Sequence, residues 1–374
     1  MYKIAGSNLF GQWLEDERII FDFRDISRDP KISDFDINRA SLMHICWSYN
    51  VFLYKKKFFV IGVWNGKERE LHKVDLPEEC DTTEFESNLT MVGNDYYLLL
   101  ANKKQNTIWL IDLQKENIFK KVNLSTELPL VNNSVKRPRW DSHILKIAIT
   151  NNSCLCLTTD GRVYSGILPS LVDTSHCIGR VCDVRCGYEH FMLLTDAGRV
   201  YTWGNGRRLQ LGHGSLDNFE IPTEIEALAG IKITKIRAGG WHCMTLSEFG
   251  DLYTWGWNDT GQLGVRDLDA KGVLNREGLK SYPLPKLVDI LDDNGKEIDM
   301  NVIDIDCGSR HTAIMLEDYS VWTTGNNKYG QLGFSPQQHP SIDYFKNTFQ
   351  CERDNNISIH CGHWSTVLIK NKVQ

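Results

Sequence analysis

The chain has 374 residues, 41% of them hydrophobic and 24% charged, with a net charge of −6. That balance disfavours strong direct DNA binding, which wants a basic surface to displace phosphate counterions, and no run approaches the ~18 apolar residues of a membrane helix. Aromatics at 10% and 29 glycines against 10 prolines fit many short strands joined by glycine turns, and a chain this long suits a repeat architecture better than one ordinary core.

Met1–Trp13 lacks an apolar h-region, so no secretory signal is expected, and the eleven cysteines read as buried thiols in a reducing compartment. The segment Gly6-Ser-Asn-Leu-Phe-Gly-Gln-Trp13 will matter at the other end of the chain. Next, Cys46-Trp-Ser-Tyr-Asn50 leads into Val51–Tyr54, a lysine turn at Lys55–Lys57, and Phe58–Gly62. Tyr96–Leu100 pairs across a polar turn with Thr107–Ile111. Leu157-Thr-Thr-Asp-Gly-Arg-Val-Tyr164 is a hairpin of the same kind, but lacks later landmarks and predicts a short-looped unit.

From residue 186 the repeat is explicit. Cys186-Gly-Tyr-Glu-His190, Ala238-Gly-Gly-Trp-His242 and Cys307-Gly-Ser-Arg-His311 are one landmark; Trp203-Gly204, Trp255-Gly256 and Thr324-Gly325 are a second; Leu209–Gly212, Gly261–Gly264 and Gly330–Gly333, each with Gln-Leu-Gly, are a third. All three advance by 52 residues and then by 69, so the second step carries an insertion of about 17, placed at 265–282 as a surface loop. The copy at Cys361-Gly-His-Trp-Ser365 stops without its Gly-x-Asn-x-x-Gly-Gln segment, whereas Gly6–Trp13 matches Gly325–Leu332. Copies near 46, 96, 153, 186, 238, 307 and 361 make seven. The expected fold is therefore all-β: one seven-bladed propeller over 1–374, diverged at 14–145, well matched at 146–374, and closed by pairing of the N- and C-terminal segments.

These motifs resemble the regulator of chromosome condensation repeat family, whose fold is a seven-bladed propeller. The stretches Ala238–Asn258 and Leu211–Leu216 narrow the resemblance to a small single-propeller subfamily. What that implies is a nuclear, chromosome-associated binding scaffold, with the cytoplasm as a second location. It would partner a Jumonji-C oxygenase and support histone-methylation control and chromosome segregation, with histones as a further contact. The alternatives are a guanine-nucleotide exchange factor for a small nuclear GTPase and a generic propeller adaptor.

Neither an enzyme nor a cofactor is expected, and the protein should be a monomer on its own. His190, His242 and His311 hold one slot in different blades and cannot converge, and His360-Cys-Gly-His363 offers too few ligands for zinc. Trp255 reads as core. Trp241 and Arg310 share a variable slot at the propeller mouth and, with Trp257, are candidate interface anchors. Arg137 and Arg139 sit in the basic strip Lys136–Trp140, a solvated inter-blade loop or else a nuclear-import or acidic-partner contact. Arg162 and Tyr164 belong to the short-looped unit. The resemblance makes Arg162 a docking or hydroxylation candidate, since the oxygenase is similar to arginyl hydroxylases, ahead of Arg137 and Arg139.

Overall fold

Every repeat copy becomes one four-stranded antiparallel sheet. The computed structural model describes residues 2–26, 35–115, 118–124, 142–151, 154–266, 280–292, 294–354 and 356–370. Numbered from the first complete copy, blade 1 runs Ser41–Ile45, Tyr49–Tyr54, Lys57–Trp64 and Lys67–Lys73, and blade 2 runs Leu89–Gly93, Tyr97–Asn102, Thr107–Asp112 and Ile118–Asn123. Blade 3 holds Ile144–Ile149, Cys154–Thr158, Val163–Ser165 and Ser170–Leu171; blade 4 holds Val181–Cys186, His190–Thr195, Val200–Gly204 and Phe219–Glu224. Blade 5 is Ile233–Ala238, His242–Ser247, Leu252–Trp257 and Ser281–Leu287, and blade 6 is Val302–Cys307, His311–Leu316, Ser320–Asn326 and Ser341–Gln350. The seventh takes Ile357–Cys361 and Ser365–Lys370 from one end of the chain and Tyr2–Ser7 and Ile19–Asp25 from the other.

The closing register is continuous, with Tyr2 opposite Ile369 and Gly6 opposite Ser365. As expected for the short-looped unit, blade 3 has outer strands of only three and two residues. Ser281, inside the predicted insertion, already begins a strand.

Strand alternation sends apolar side chains to both faces of each sheet, so the core lies between blades and not within them. Seven apolar clusters fill the seven blade interfaces. The seam between blades 7 and 1, for example, packs Ile4, Ile20 and Val367 against Phe52, Phe59 and Ile61. Blades 3 and 4 meet through Leu155, Leu157, Val184 and Leu193.

The landmarks now have physical reasons. Gly204, Gly256, Gly325 and Gly6 take φ between +100° and +133°, and a Cβ on them would meet the carbonyl oxygens of Glu189, Trp241, Arg310 and Trp364 at 2.5–2.6 Å. Only glycine fits where the third strand passes the turn between strands one and two. The glutamine of each Gln-Leu-Gly is buried, and its Oε1 accepts the backbone N–H two residues earlier, from Phe10, Arg208, Thr260 or Tyr329 (2.8–3.1 Å). Its own carbonyl accepts from the next blade: Asn50 Nδ2 at Gln12, Thr312 Oγ1 at Gln262 and Thr366 Oγ1 at Gln331. No helix among the described residues is long and apolar enough to cross a membrane.

Candidate partner-binding face

In a four-stranded meander, the first turn and the third-to-fourth connection emerge on one face of the ring, and the second turn and the inter-blade linker on the other. The first face carries two variable slots per blade. One immediately precedes the second strand: Tyr96, Glu189, Trp241, Arg310 and Trp364. The other lies four residues after the close-packed glycine, where the glutamine fixes the backbone: Phe10, Arg208, Thr260 and Tyr329.

These slots meet across blade boundaries. The Arg208 guanidinium of blade 4 lies 5.1 Å from the Trp241 ring of blade 5 and 4.4 Å from that of Trp257. Asp259 of blade 5 forms an ion pair with Arg310 of blade 6, whose carbonyl also accepts from Thr260 Oγ1. Tyr329 of blade 6 packs on Trp364 of blade 7 at 5.4 Å and on Trp47 of blade 1 at the same distance; Phe10 of blade 7 packs on Trp47 at 5.7 Å. The result is a half-exposed belt that changes chemistry from blade to blade: cation–π, ion pair, aromatic. Sequence reasoning found Trp241, Trp257 and Arg310, and the structure brings all three into the belt. It missed Phe10, Trp47, Arg208, Tyr329 and Trp364. The signal for Trp364 was available, because it fills the Trp241 slot, and Tyr329 and Phe10 occupy matching positions in the aligned Gly6 and Gly325 segments.

Inside the belt, Tyr188 lines the central channel. Its N–H donates to the Gly240 carbonyl (2.9 Å), its hydroxyl sits 2.7 Å from Ser309 Oγ, and its ring stacks on His363 at 6.3 Å. One side chain thus reaches from blade 4 over blade 5 to blades 6 and 7.

His190, His242 and His311 are fully buried, and burial holds them near pKa 4, 3 and 3, so they are neutral at pH 7. Two of the rings join neighbouring blades instead: His190 Nε2 to Cys243 Sγ at 3.1 Å, and His242 Nε2 to Thr312 Oγ1 at 3.0 Å. His190 Nδ1 also lies 3.1 Å from the Tyr188 carbonyl. Trp255 is fully buried, its Nε1 donating to the Gln210 carbonyl at 3.0 Å.

Arg162 stands on the opposite face, in the second turn of blade 3. Its Nε is 3.0 Å from Asp160 Oδ2, and Asp160 also accepts from Ser142 Oγ at 2.7 Å. The side chain keeps 30% of its exposure, so its head group is reachable but already ion-paired. Tyr164 corrects the sequence reading: it is 7% exposed and packs with Tyr97, Leu99 and Ile147 between blades 2 and 3, because strand alternation turns it into the interface. It is not placed to touch a partner. Arg137 and Arg139 lie outside the described residues, as do 267–279 of the insertion.

The architecture defines a closed repeat propeller that offers two faces of turns for contact. Residues 181–331 are similar to the repeat of the regulator of chromosome condensation: the RCC1 repeat description matches residues 197–246 and 250–315, and a second description of the same repeat matches 181–210 and 302–331. Among sequence relatives, RCC1 domain-containing protein 1 of Mus musculus is 36% identical over 219 residues, 50% of this chain and 55% of that protein. The chain thus aligns with about half the length of that relative. Among solved structures, human WBSCR16 superposes with a TM-score of 0.71 at 14% identity, covering 99% of this chain and 100% of that one. Prp20p of Saccharomyces cerevisiae, whose structure was described with its binding to Gsp1p and histones, gives 0.70 at 15% identity over 99% and 92%. At those identities the likeness is one of fold.

Proposed function

We propose that the protein is a non-enzymatic nuclear scaffold whose partner is a chromatin-associated Jumonji-C oxygenase, in support of histone-methylation control and chromosome segregation. The observation that carries the binding role is the belt. Half-exposed tryptophan, tyrosine and arginine, held on glutamine-fixed turns of a rigid ring, are the residue types that dominate interface energetics, at low ordering cost. The oxygenase comes from the family resemblance that 238–258 carry.

Two faces are available, and paired variants separate them. Trp241→Ala and Trp364→Ala strip the belt; Arg162→Ala strips the opposite face. In a pull-down of the full chain against a Jumonji-C oxygenase, loss in the tryptophan variants alone assigns docking to the belt. Loss in Arg162→Ala alone assigns it to the second turn of blade 3, and mass spectrometry of the Arg162 peptide after incubation with the active oxygenase reports any hydroxylation. No complex at micromolar concentration with any form refutes the oxygenase assignment. Accelerated GDP release from a small nuclear GTPase would replace it with nucleotide exchange.

A further inference from the structure

The first strands of the blades line a central channel of about 330 Å³, and the cations on its wall, Lys146, Arg185 and Arg237, outnumber its one lining carboxylate, Asp306. Neighbouring positions add Lys235 and the carboxylates Asp183 and Asp304, which form ion pairs within this cluster. Asp183, Asp304 and Asp306 are each ion-paired and each accept a backbone N–H. Asp304 pairs with Lys235 at 3.0 Å and accepts the backbone N–H groups of Ile305 and Ile359 at 3.0 and 2.9 Å. Asp306 pairs with Arg237 at 3.0 Å and accepts the Cys361 N–H at 2.7 Å. Asp183 must serve Lys146 and Arg185 together, the latter at 3.2 Å, and accepts the Val184 N–H at 2.9 Å besides.

Arg185 thus shares Asp183 with Lys146, and its Nε is buried with no hydrogen-bond partner among the described residues. Repulsion from Arg237 adds to the burial cost of its charge. A lysine in this position could shed its proton; a guanidinium cannot. The histidines that share the channel, His44, His360 and His363, are driven towards neutrality by burial and supply no negative charge. Asp95 stands near Tyr188 and His363 as a further carboxylate; its Oδ2 accepts from Asn151 Nδ2 at 2.8 Å, and its Oδ1 is buried with no hydrogen-bond partner among the described residues.

We infer that the channel is an anion site in which Arg185, flanked by Lys146 and Arg237, holds a small oxyanion or a carboxylate. The planar fork suits two oxygens at once, and the walls lower the dielectric around the pair. The same chemistry can arrive as a free anion or as the carboxylate of an inserted peptide side chain, and size permits either.

Isothermal titration of the full chain at constant ionic strength tests it, with sulfate and malonate as free anions and an amidated peptide bearing a single aspartate as the partner-borne carboxylate. Saturable millimolar or tighter binding is expected in at least one arm, and the arm that binds names the source. Arg185→Gln should weaken it at least tenfold, and Arg185→Lys, which keeps the charge and loses the fork, by several-fold; the exposed-turn control Lys56→Gln should stay within twofold of the unaltered chain. No saturation in any arm below about 50 mM, or equal affinity in the parent, Arg185→Gln and Arg185→Lys, overturns the inference.

Discussion

Alanine in place of Gly6 tests whether the seam between the chain ends is packed as tightly as the interior of the ring. Gly6 has φ +133°, and an added Cβ would stand 2.5 Å from the Trp364 carbonyl oxygen, with Ser365 backbone on its other side. The substitution forces a non-glycine residue into a conformation that costs about 1–3 kcal/mol. Separating the strands to relieve the clash sacrifices the 2.8 Å hydrogen bond from Ser7 N–H to the Trp364 carbonyl, about 1–3 kcal/mol more for a buried acceptor left unpaired. The sum is about 4 kcal/mol, a large share of the ~5–15 kcal/mol that holds a typical domain folded. Gly66→Ala is the matched control, since Gly66 has φ +72° and open space within 4 Å, so only about 1 kcal/mol of left-handed strain applies. Urea unfolding followed by tryptophan fluorescence measures both. Gly256→Ala, which would meet the Trp241 carbonyl at 2.6 Å inside a single-segment blade, should match Gly6→Ala. If Gly6→Ala and Gly66→Ala unfold within about 1 kcal/mol of each other, the close approach at the seam is not what the glycine is for.

Folded pKa values near 3 and 4 for His242, His311 and His190, against 6.5 unfolded, mean that the unfolded chain binds more protons as pH falls. Their contribution is complete above pH 6.5 and is lost towards pH 4, by about 3 kcal/mol for each histidine; urea melts across that window should show a shallower slope for His311→Gln. Cys182 is the exposed thiol, whereas Cys46, Cys243 and Cys307 are buried with pKa values pushed far up by desolvation. Mass spectrometry after native treatment with a maleimide should find Cys182 labelled first and the other three only on unfolding. Arg208→Ala removes two cation–π contacts worth about 0.5–1 kcal/mol each; it should change the emission of Trp241 and Trp257 while lowering stability by no more than about 2 kcal/mol.

Blade number, order and closure were legible because the repeat constrains backbone geometry, and backbone constraints select residue types. A glycine that must pass a carbonyl, a glutamine that must hold a turn and a histidine buried at the blade interface recur in phase at 204, 210 and 190 and their equivalents. Tyr164 misled because its hairpin position resembles the exposed Arg162 two residues earlier, and only the register, which pairs it with Cys156 and Leu171, shows that it turns into the blade interface. Trp47 and Phe10 were hidden for another reason: their contact joins residues from blade 1 and the N-terminal half of blade 7, which are neighbours only because the ring closes.

The same division explains why the fold is easier to read than the function. The landmark residues spend their chemistry on the backbone and on neighbouring blades, and that frees the positions beside them. Residues 208, 260, 329 and 10 are held by equivalent glutamine hydrogen bonds yet are Arg, Thr, Tyr and Phe. A fixed frame presenting unlike side chains can change its partner at a small cost in stability, since replacing a half-exposed Tyr329 or Arg208 removes surface contacts but leaves every buried inter-blade cluster intact. Recognition should therefore follow the order of side chains around the belt. The double variant Asp259→Arg with Arg310→Asp swaps the two ends of that ion pair, so it keeps the pair and its stability but inverts the charge pattern offered to a partner. A complex formed through this sector should weaken in the swapped variant while urea unfolding stays within about 1 kcal/mol; equal binding would place recognition elsewhere on the ring.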